Sequence, residues 1–298
     1  MSLALPVQYQ ARTLRDEPMS RHTSWHVGGP ADCYFTPRDR DDLSAFLGDL
    51  PRDVPVYWVG LGSNLLVRDG GLRGVVIATL GVFKRLERRA NQRVYCESGV
   101  PCTTLARHSV RWGLGQGEFF AGIPGTLGGA LAMNAGAYHG ETWQQVLSVD
   151  VINRSGVQRT RAATEYRPSY RHVEKPANDE WYLAAELQFA ASDAAQSQQV
   201  KELGERRRRT QPLGEWSCGS VFTNPPGDHA ARLIESAGLK GFRLGGAVVS
   251  DKHANFILNE GAATARDLEQ LIVHVKDTVA AVHGVQLVPE VRIVGEAA

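Results

Sequence analysis

The chain has 298 residues, of which 43% are hydrophobic and 22% are charged, so it has ordinary globular composition and room for two or three domains. Its formal net charge of +1 gives no general argument for binding to nucleic acid or to a membrane surface. The N-terminal residues lack the pattern of a signal peptide, no apolar run is long enough to span a bilayer, and the four cysteines and the histidines show no metal-ligand spacing. We therefore expect a cytoplasmic protein with reduced thiols and no metal site.

The first eighty residues predict a small β-α-β unit. Apolar residues recur at helical spacing from Leu43 to Leu50, between two runs that are typical of strands. The second of these strands continues directly into the turn Gly60–Asn64. Glycine turns at strand ends are common ligand sites in α/β proteins. The predicted strands are Ala31–Thr36, Pro55–Val59, Leu65–Val67 and Gly74–Leu80.

A glycine-rich segment from Gly113 to Gly140 follows, with nine glycines and almost no charge. Such a run predicts neither helix nor strand, because each interior glycine costs about 0.5–1 kcal/mol relative to alanine. Backbone N–H groups without a nearby Cβ can instead hold a diphosphate or a flat ring system, and a tight domain junction is the alternative. Strand-like runs on both sides predict a mixed α+β domain. These runs are Val94–Val100, Val146–Asn153 and Trp181–Phe189.

A domain boundary is predicted near residues 190–199, which are polar and rich in alanine and lead into a helix ending at Glu205–Arg209. Downstream, Asp228 is predicted to cap a helix over Ala231–Ser236 that Gly238 closes. A second cap, with capping-box spacing, is predicted at Thr264.

The last long helix is predicted from an apolar stripe that Gly284 ends. Beyond it, apolar residues from Val285 to Ile293 alternate with polar ones, which predicts a strand with Glu290 and Arg292 on one face. The stripe consists of Leu268, Leu271, Ile272, Val275, Val279 and Val282.

Neither glycine turn matches the dinucleotide pattern GxGxxG, and no P-loop pattern occurs, so the two loops indicate a different kind of nucleotide cradle. Ser220, with small residues before it and apolar residues after it, is a candidate proton donor in a dry site. Most serines of this kind, however, only form hydrogen bonds with backbone groups. Arg167 and Arg292 are candidates for binding a carboxylate or phosphate. A structural ion pair is the alternative for both, and Arg206–Arg209 is interpreted as a solvated helix face.

Nine stretches, in the same order along the chain, resemble the MurB family, the UDP-N-acetylenolpyruvoylglucosamine reductases. The resemblance spans residues 21–295, and nine motifs in one order are highly specific. The stretches are HTSWHVGGPA from His22, GLGSNLLVRD from Gly60, AGIPGTLGGALAMNAGAY from Ala121, YRPSY from Tyr166, RRTQP from Arg208, SCGSVFTNP from Ser217, AGLKG from Ala237, VVSDKHANFILN from Val248 and PEVRIVG from Pro289.

The resemblance implies an α+β protein, with a two-subdomain FAD-binding fold of the vanillyl-alcohol-oxidase type and a C-terminal α+β substrate domain. The expected domains are residues 1–80 and 81–195 for FAD and residues 200–288 for the substrate. The C-terminal strand 289–298 is expected to return to the first subdomain.

The implied activity is that of an NADPH-dependent flavoenzyme with non-covalent FAD. It reduces the enolpyruvyl ether of UDP-N-acetylglucosamine to UDP-N-acetylmuramate in peptidoglycan precursor synthesis. Cell wall biogenesis, cell shape and cell division would depend on it. Its partners would be these small molecules, with no nucleic acid and no membrane, and the protein would be a monomer.

The resemblance also assigns roles to individual residues. Ser220 would donate a proton to the substrate, and Arg167 and Glu290 would flank the enolate-like charge. Tyr166, Asn224 and Arg292 match positions that contact the substrate. The cofactor-binding positions are Gly60, Gly62, Ser63, Asn64, Gly122, Ile123, Pro124, Gly125, Thr126, Gly129 and Asn134.

Three positions depart from the family pattern: Tyr170 replaces a usual phenylalanine, Thr223 a common basic residue and His26 a common arginine. The chain also resembles the shorter class of the family, without a capping tyrosine loop. Two alternatives stay open at this point. One is another flavin enzyme of the same fold acting on an alcohol or sugar, and the other is a nucleotide-binding module without catalysis.

Overall fold

The structure, a computed structural model, describes residues 5–192 and 194–298. The N-terminal part forms a four-stranded sheet of order β1-β2-β5-β3, in which β2, β5 and β3 are parallel. The predicted β-α-β unit and its strands are confirmed here. The elements are α1 (Val7–Gln10), β1 (Thr13–Pro18), β2 (Pro30–Phe35), α2 (Arg40–Asp49), β3 (Val56–Val59), β4 (Leu65–Val67) and β5 (Leu72–Ala78).

Helix α2 shows why this unit folds locally as predicted. The Asp39 carboxylate accepts a hydrogen bond from Asp42 N at 2.8 Å and so caps the first turn. Leu43, Phe46 and Leu47 then fall on one face and are buried against the sheet. The helix therefore covers one face of the sheet.

The middle of the chain forms a five-stranded antiparallel sheet of order β12-β11-β15-β7-β6. The three predicted strands in this region are confirmed as β7, β11 and β15. The elements are β6 (Leu86–Arg88), β7 (Arg93–Glu97), α3 (Cys102–Arg111), β8 (Leu114–Gly115), α4 (Leu127–Met133), β9 (Gly136–Ala137), β10 (Gly140–Glu141), β11 (Val146–Asn153), β12 (Gln158–Ala162), β13 (Arg167–Ser169), β14 (His172–Glu174), β15 (Glu180–Gln188), β16 (Ala190–Ala191) and α5 (Ala194–Thr210).

Part of the glycine-rich segment is helical, contrary to the sequence prediction. Helix α4 contains Gly128 and Gly129, and close packing explains the first of them. A Cβ at Gly128 would lie 3.0 Å from the Cβ of Ser98, and Gly128 N donates to Ser98 O at 2.8 Å. The cost of glycine in this helix is therefore offset by a close approach that a larger residue would prevent.

The C-terminal part forms a second four-stranded sheet, of order β17-β20-β19-β18, packed against two helices. The elements are β17 (Trp216–Ser217), α6 (Ala230–Ser236), β18 (Arg243–Leu244), β19 (Ala247–Val249), β20 (Ile257–Asn259), α7 (Ala265–His283) and β21 (Arg292–Val294). Trp25 ties this part to the N-terminal residues, because its indole N–H donates to Ile257 O at 2.8 Å from a fully buried position.

The predicted cap of α6 is wrong. Asp228 forms an ion pair with Arg232 and accepts from His229 N, whereas Asn224 Oδ1 accepts the N–H of Ala230 at 3.1 Å. The chain between Asn224 and Ala230 turns back, so a side chain six residues upstream reaches the first turn of the helix. Gly238 does end this segment, with a φ of +75°.

Helix α7 begins and ends as predicted. Thr264 and Asp267 form a capping box, and Gly284 ends the helix in the left-handed conformation. Five of the six predicted stripe residues are buried, but Val282 is 56% exposed. Val282, in the last turn of the helix, therefore lies at the surface rather than in the core.

The strand predicted from Val285 is shorter than expected. Only Arg292–Val294 form a strand, β21, which pairs in parallel with β4 of the N-terminal part. Upstream, Pro289 forms an isolated bridge with Phe222 instead. The C-terminal segment therefore contacts two different parts of the molecule within six residues, and this crossing brings Glu290 to the site described below.

The contrast within α7 predicts a stability difference between two identical substitutions. Val279→Ala should destabilise the protein by about 2 kcal/mol, because a fully buried valine loses two methyl groups and leaves a cavity. Val282→Ala, three residues later on the exposed last turn, should change stability by less than about 0.5 kcal/mol. Equilibrium unfolding in urea measures both. Equal losses in the two variants would contradict the assignment of Val282 to the surface.

Candidate functional site

The two glycine loops predicted from the sequence lie against each other. A Cβ placed on Gly60 would lie 2.5 Å from Thr126 Oγ1, and one on Gly125 would lie 3.2 Å from Ser63 Oγ. The second loop is held by backbone hydrogen bonds from Cys102 N to Gly125 O at 2.8 Å and from Leu127 N to Val100 O at 2.9 Å. The fold thus joins the end of β3 and the start of α4 into one surface.

Gly62 is required by both conformation and space. Its φ of +60° is unfavourable for residues with a Cβ, and a Cβ there would overlap the carbonyl oxygen of His22. Ser24 N donates to Gly62 O at 3.2 Å. The segment His22–Ser24 therefore encloses the first loop from one side.

Both loops present backbone donors without protein partners. Among residues 5–192 and 194–298, no acceptor pairs with the N–H groups of Leu61, Gly62, Ser63 or Thr126. Gly129, in the first turn of α4, has no atom within 4 Å of the position of a Cβ. Successive free N–H groups at a strand end and a helix start suit a diphosphate.

A buried hydroxyl beside the first loop supports the same fit. Ser24 Oγ is buried without a hydrogen-bond partner in the described part of the chain. Unpaired buried polar atoms are uncommon, and this one lies beside the loop with free N–H groups. The residues present therefore fit the FAD that the resemblance implies. Gly60, Gly62, Ser63, Gly125, Thr126 and Gly129 would hold it.

Ser220 lies in a turn that the fold brings over the second glycine loop. Gly219, before it, has a φ of +82°, and the position of a Cβ there is 3.8 Å from Pro124 Cγ. Ser220 itself is half-buried, and its hydroxyl forms no hydrogen bond with a described residue. A hydroxyl in this position is free to act on a molecule bound at the loop.

Asn255 holds this turn in place and was missed by the sequence analysis. It is buried, its Oδ1 accepts from Phe222 N at 3.0 Å, and its Nδ2 donates to Phe222 O at 2.8 Å. Its own carbonyl accepts from Val221 N at 2.9 Å. The only available signal was an asparagine between apolar residues in the stretch from Val248, which matches the family but has no distinctive chemistry.

Glu290 lies beside the Ser220 turn. Its N–H donates to Val221 O at 2.7 Å, and its carbonyl accepts from Asn64 Nδ2 at 3.2 Å. Arg292 N in turn donates to Asn64 O at 3.1 Å. The side chain of Asn64 thus connects the first glycine loop to the C-terminal segment, and Glu290 sits where the three segments meet.

The protonation of Glu290 is set by two opposing effects. Burial raises the pKa of the Glu290 carboxyl above its ordinary value, and the neighbouring Arg171 guanidinium opposes part of this rise. Nε of Arg171 lies 3.0 Å from Oε1 of Glu290 as an ion pair, although its N–H is not aligned for a hydrogen bond. The site therefore contains a carboxylic acid that is weaker than a solvent-exposed one.

Arg171, not Arg167, is the arginine that the structure brings to Glu290. The hairpin of β13 and β14 turns at Tyr170 and Arg171, and Arg171 has a φ of +58°. The side chain of Arg167 is 83% exposed, with a 3.8 Å contact to Glu174. Arg167 therefore forms no ion pair with Glu290 in this structure, and Arg171, directly after the YRPSY stretch, forms it instead.

Three other predicted residues have structural partners. Tyr166 is buried against Trp143, with ring centroids 4.6 Å apart, and burial raises the pKa of its phenol. Asn134 is buried and left-handed, and its amide bonds Glu141, Ser169 O and Trp143 N. Asn224 is exposed and caps α6, as described above. The side chains of Tyr166 and Asn134 are therefore engaged within the protein, whereas Asn224 is exposed and uses its Oδ1 for the cap.

The remaining predicted positions lie at the margins of the loops. Arg292 is exposed on β21, next to Asn64. Gly122 is close-packed, since a Cβ there would lie 2.6 Å from the Cβ of Ala137, and Ile123 is buried in the core of the middle domain. Of this group, Arg292 alone presents a charged side chain to solvent.

The three positions that depart from the family pattern are also placed. The Tyr170 hydroxyl accepts from Asn224 N at 3.3 Å, and Thr223 Oγ1 donates to Val288 O at 3.2 Å. His26 has a φ of +56° and its ring lies 4.5 Å from that of Trp216. Tyr170 and Thr223 therefore help to join the hairpin and the C-terminal segment around the Ser220 turn.

A cavity of about 440 Å³ lies elsewhere, lined by Glu118, Tyr138 and His139 among others. None of the predicted site residues lines it. A Cβ at Gly122 would lie 2.8 Å from the ring of Tyr138, which lines this cavity. The second glycine loop therefore packs against a wall of the cavity and does not open into it through its predicted site residues. The geometry of the loops, rather than the size of this cavity, therefore locates the site.

The described residues contain neither a membrane-spanning helix nor a metal cluster. Within residues 5–192 and 194–298, no helix is both long and apolar enough to cross a membrane. In the same ranges, no three histidine, cysteine or acidic side chains lie close enough together to bind a metal ion. The four cysteines are free and buried.

Comparisons with known proteins cover both halves of the chain. A family profile described as the C-terminal domain of UDP-N-acetylenolpyruvoylglucosamine reductase matches residues 211–294, and one described as an FAD binding domain matches residues 31–161. The reductase of that name from Alkalilimnicola ehrlichii is 59% identical over 94% of each chain. The one from Methylococcus capsulatus is 54% identical over 95% of this chain and 93% of its own.

A solved structure gives the same result for the fold. The crystal structure of UDP-N-acetylenolpyruvylglucosamine reductase (MurB) from Thermus caldophilus is similar with a TM-score of 0.82 and 30% sequence identity. The similarity covers 94% of this chain and 97% of that one.

Proposed function

Because the chain belongs to the family of UDP-N-acetylenolpyruvoylglucosamine reductases, we propose that it carries out this family's reaction with the residues placed above. It is an FAD-dependent oxidoreductase that uses NADPH to reduce the enolpyruvyl ether of UDP-N-acetylglucosamine, giving UDP-N-acetylmuramate for peptidoglycan. Its fold is α+β, with the FAD-binding architecture of that family followed by the C-terminal part.

One observation carries the assignment of the residues. The Ser220 turn lies over Pro124 of the second glycine loop, and Glu290 is bonded to the same turn through Val221 O. These contacts support a site in which a hydroxyl and a carboxylic acid lie together above the surface that fits the cofactor. Reduction of an enol ether needs a hydride at one carbon and a proton at its neighbour, and these two side chains can supply and share that proton.

FAD held by these residues would supply the hydride chemistry between NADPH and C3 of the enolpyruvyl group. Ser220 then donates a proton to C2. Glu290, whose pKa is raised by burial, shares a proton with the enolate-like charge that develops there. The free N–H groups of the two loops would hold the diphosphate of FAD.

We assign the substrate carboxylate to Arg167, because its guanidinium is exposed and has only the 3.8 Å contact to Glu174. Arg171 is already paired with Glu290, so it is less available to a second anion. Arg292, exposed beside Asn64, and Asn224 are proposed to contact the sugar nucleotide. Tyr166 supports the hairpin from its buried position, and Asn134 supports it through Ser169 O.

The division into residues 1–80, 81–195 and 200–288 is proposed as well. Each of these ranges contains one of the three larger sheets, and β21 pairs with β4 of the first. We further propose a monomer of the shorter class that acts in the cytoplasm, where its four free, buried thiols would stay reduced. Roles in cell shape and cell division follow from the supply of peptidoglycan precursors.

An anaerobic visible spectrum tests the proposal. The purified protein should be yellow, should bleach with NADPH, and should regain its colour when the enolpyruvyl sugar nucleotide is added. Recovery with an alcohol-derived or other sugar acceptor, but not with this substrate, would favour a different flavin enzyme. A protein that cannot be loaded with FAD would contradict the proposal from its first step.

A further inference from the structure

Arg171 occupies a position that the reaction as described above does not explain. It is an arginine in the left-handed conformation at a two-residue hairpin turn, where glycine or asparagine is usual. Its side chain is only 19% exposed. An uncommon backbone conformation persists where surrounding contacts stabilise it, so the contacts of this residue indicate what it does.

The contacts of Arg171 come from three directions. Nη2 donates to Gly136 O at 3.0 Å, and Nε lies 3.0 Å from Oε1 of Glu290. The guanidinium carbon lies 5.0 Å from the ring centroid of Tyr170. A guanidinium held by a carbonyl and an aromatic ring is preorganised to face one carboxylate.

The hairpin that carries Arg171 is itself fixed on two sides. Asn134, at the end of α4, donates to Ser169 O at 3.0 Å, and the Tyr170 hydroxyl accepts from Asn224 N at 3.3 Å. The first hydrogen bond connects the hairpin to the helix that follows the second glycine loop, and the second connects it to the segment that follows Ser220. The position of Arg171 relative to Glu290 is thus set by the same elements that form the site.

Among the described residues, Arg171 is the charged group that acts on Glu290. From the Ser220 turn, the Cys218 thiol interacts with Glu290, but burial raises the pKa of this thiol well above its ordinary value, so it stays neutral. The first glycine loop contributes the amide of Asn64 and no charge. On the segment of Glu290 itself, Arg292 is exposed and acts electrostatically on Lys175.

We propose that Arg171 is a positioning residue, which orients the Glu290 carboxyl beside the Ser220 turn and keeps it able to release its proton during the reaction. This inference deepens the proposed function and rests on it. A buried acid without a neighbouring cation would hold its proton too tightly, and proton transfer is most efficient when the acid is matched to the working pH. Arg167 and Arg171 then have separate tasks, one toward the substrate and the other toward Glu290.

The test compares Arg171→Met with Arg167→Met, two identical substitutions in one hairpin. The Glu290 titration is followed in the FAD-loaded enzyme by ¹³C NMR of labelled glutamate, with the signal assigned through Glu290→Gln. Arg171→Met should raise the pKa of Glu290 by about 1–3, since loss of a cation at ion-pair distance has this size of effect. Arg167→Met should leave the titration unchanged and instead weaken substrate binding.

Kinetics give the second readout. The rate at which substrate reoxidises the reduced enzyme should fall at high pH, where Glu290 loses its proton. In Arg171→Met, this fall should occur at a higher pH, shifted by the same amount as the pKa from the titration. Arg171→Lys should restore the wild-type titration. An unchanged titration in Arg171→Met, or an equal change in Arg167→Met, would overturn the inference.

Two controls separate the possible failures. If Arg171→Met does not fold or retain FAD, the titrations of Arg171→Gln and Arg171→Lys decide the question, and equal values in the two would overturn the inference. The exposed variant Arg88→Met controls for general changes in charge. The NMR titration needs no substrate. A failure of the proposed function would therefore appear in the anaerobic visible spectra of the wild-type protein, whereas a failure of the present inference would appear in the NMR titration.

Discussion

Ser220→Ala should slow the reoxidation of the reduced enzyme by the enolpyruvyl substrate by about 10²–10⁴-fold, the usual contribution of a positioned general acid. The physical reason is that Ser220 has the free hydroxyl on the turn over Pro124, where a proton must reach the substrate. Reduction by NADPH should be nearly unchanged, because that half of the reaction requires no proton from this residue. Stopped-flow absorbance of the flavin measures the two halves separately.

Ser217→Ala is the matched control. Ser217 lies three residues earlier in the same motif, but in strand β17, where its backbone pairs with Leu258. Its substitution should leave both half-reactions within about threefold of the wild type. If Ser220→Ala reoxidised as fast as Ser217→Ala, the assignment of the proton donor would be wrong. If both halves slowed equally, Ser220 would act in binding or folding rather than in protonation.

Gly62→Ala should abolish stable binding of FAD and so remove all activity. A Cβ at this position would overlap His22 O, and the φ of +60° alone costs about 1–2 kcal/mol for a residue with a side chain. The loop must then move, and its free N–H groups lose their arrangement. The measurement is the ratio of flavin to protein after gel filtration, together with the affinity for added FAD.

Gly113→Ala separates the effect of strain from the effect of the lost space. Gly113 has a similar φ of +66°, but no atom lies within 4 Å of the position of a Cβ. This variant should lose about 1–2 kcal/mol of stability and keep its FAD. Retention of FAD by Gly62→Ala at the level of Gly113→Ala would show that the first glycine loop does not hold the cofactor.

Much of the local structure follows from the sequence alone. Helix α7 begins at its capping box and ends at Gly284 as predicted, because these signals involve residues a few positions apart. The strands β7, β11 and β15 match their apolar runs for the same reason. Where a distant partner intervenes, the predictions fail: Asn224 replaces Asp228 at the start of α6, and Ser98 permits a helix through Gly128.

The candidate site shows the same division. Ser220, Glu290 and the two glycine loops carry motifs that could be recognised, and the fold brings these elements together. Asn255 and Arg171 could not be found in this way, because their importance lies in which backbone or carboxylate they meet. Arg167 and Arg171 are four residues apart and chemically identical, and only the left-handed turn decides which one faces Glu290.

Residue types at short spacing are therefore enough to identify the family, most of the elements and the chemical groups available for catalysis. How these groups combine depends on tertiary packing. Asn64 and Glu290 are 226 residues apart, and their contact exists because β21 returns to pair with β4. Contacts of this kind arise from the packing of whole elements, and no local pattern in the chain encodes which side chains they bring face to face.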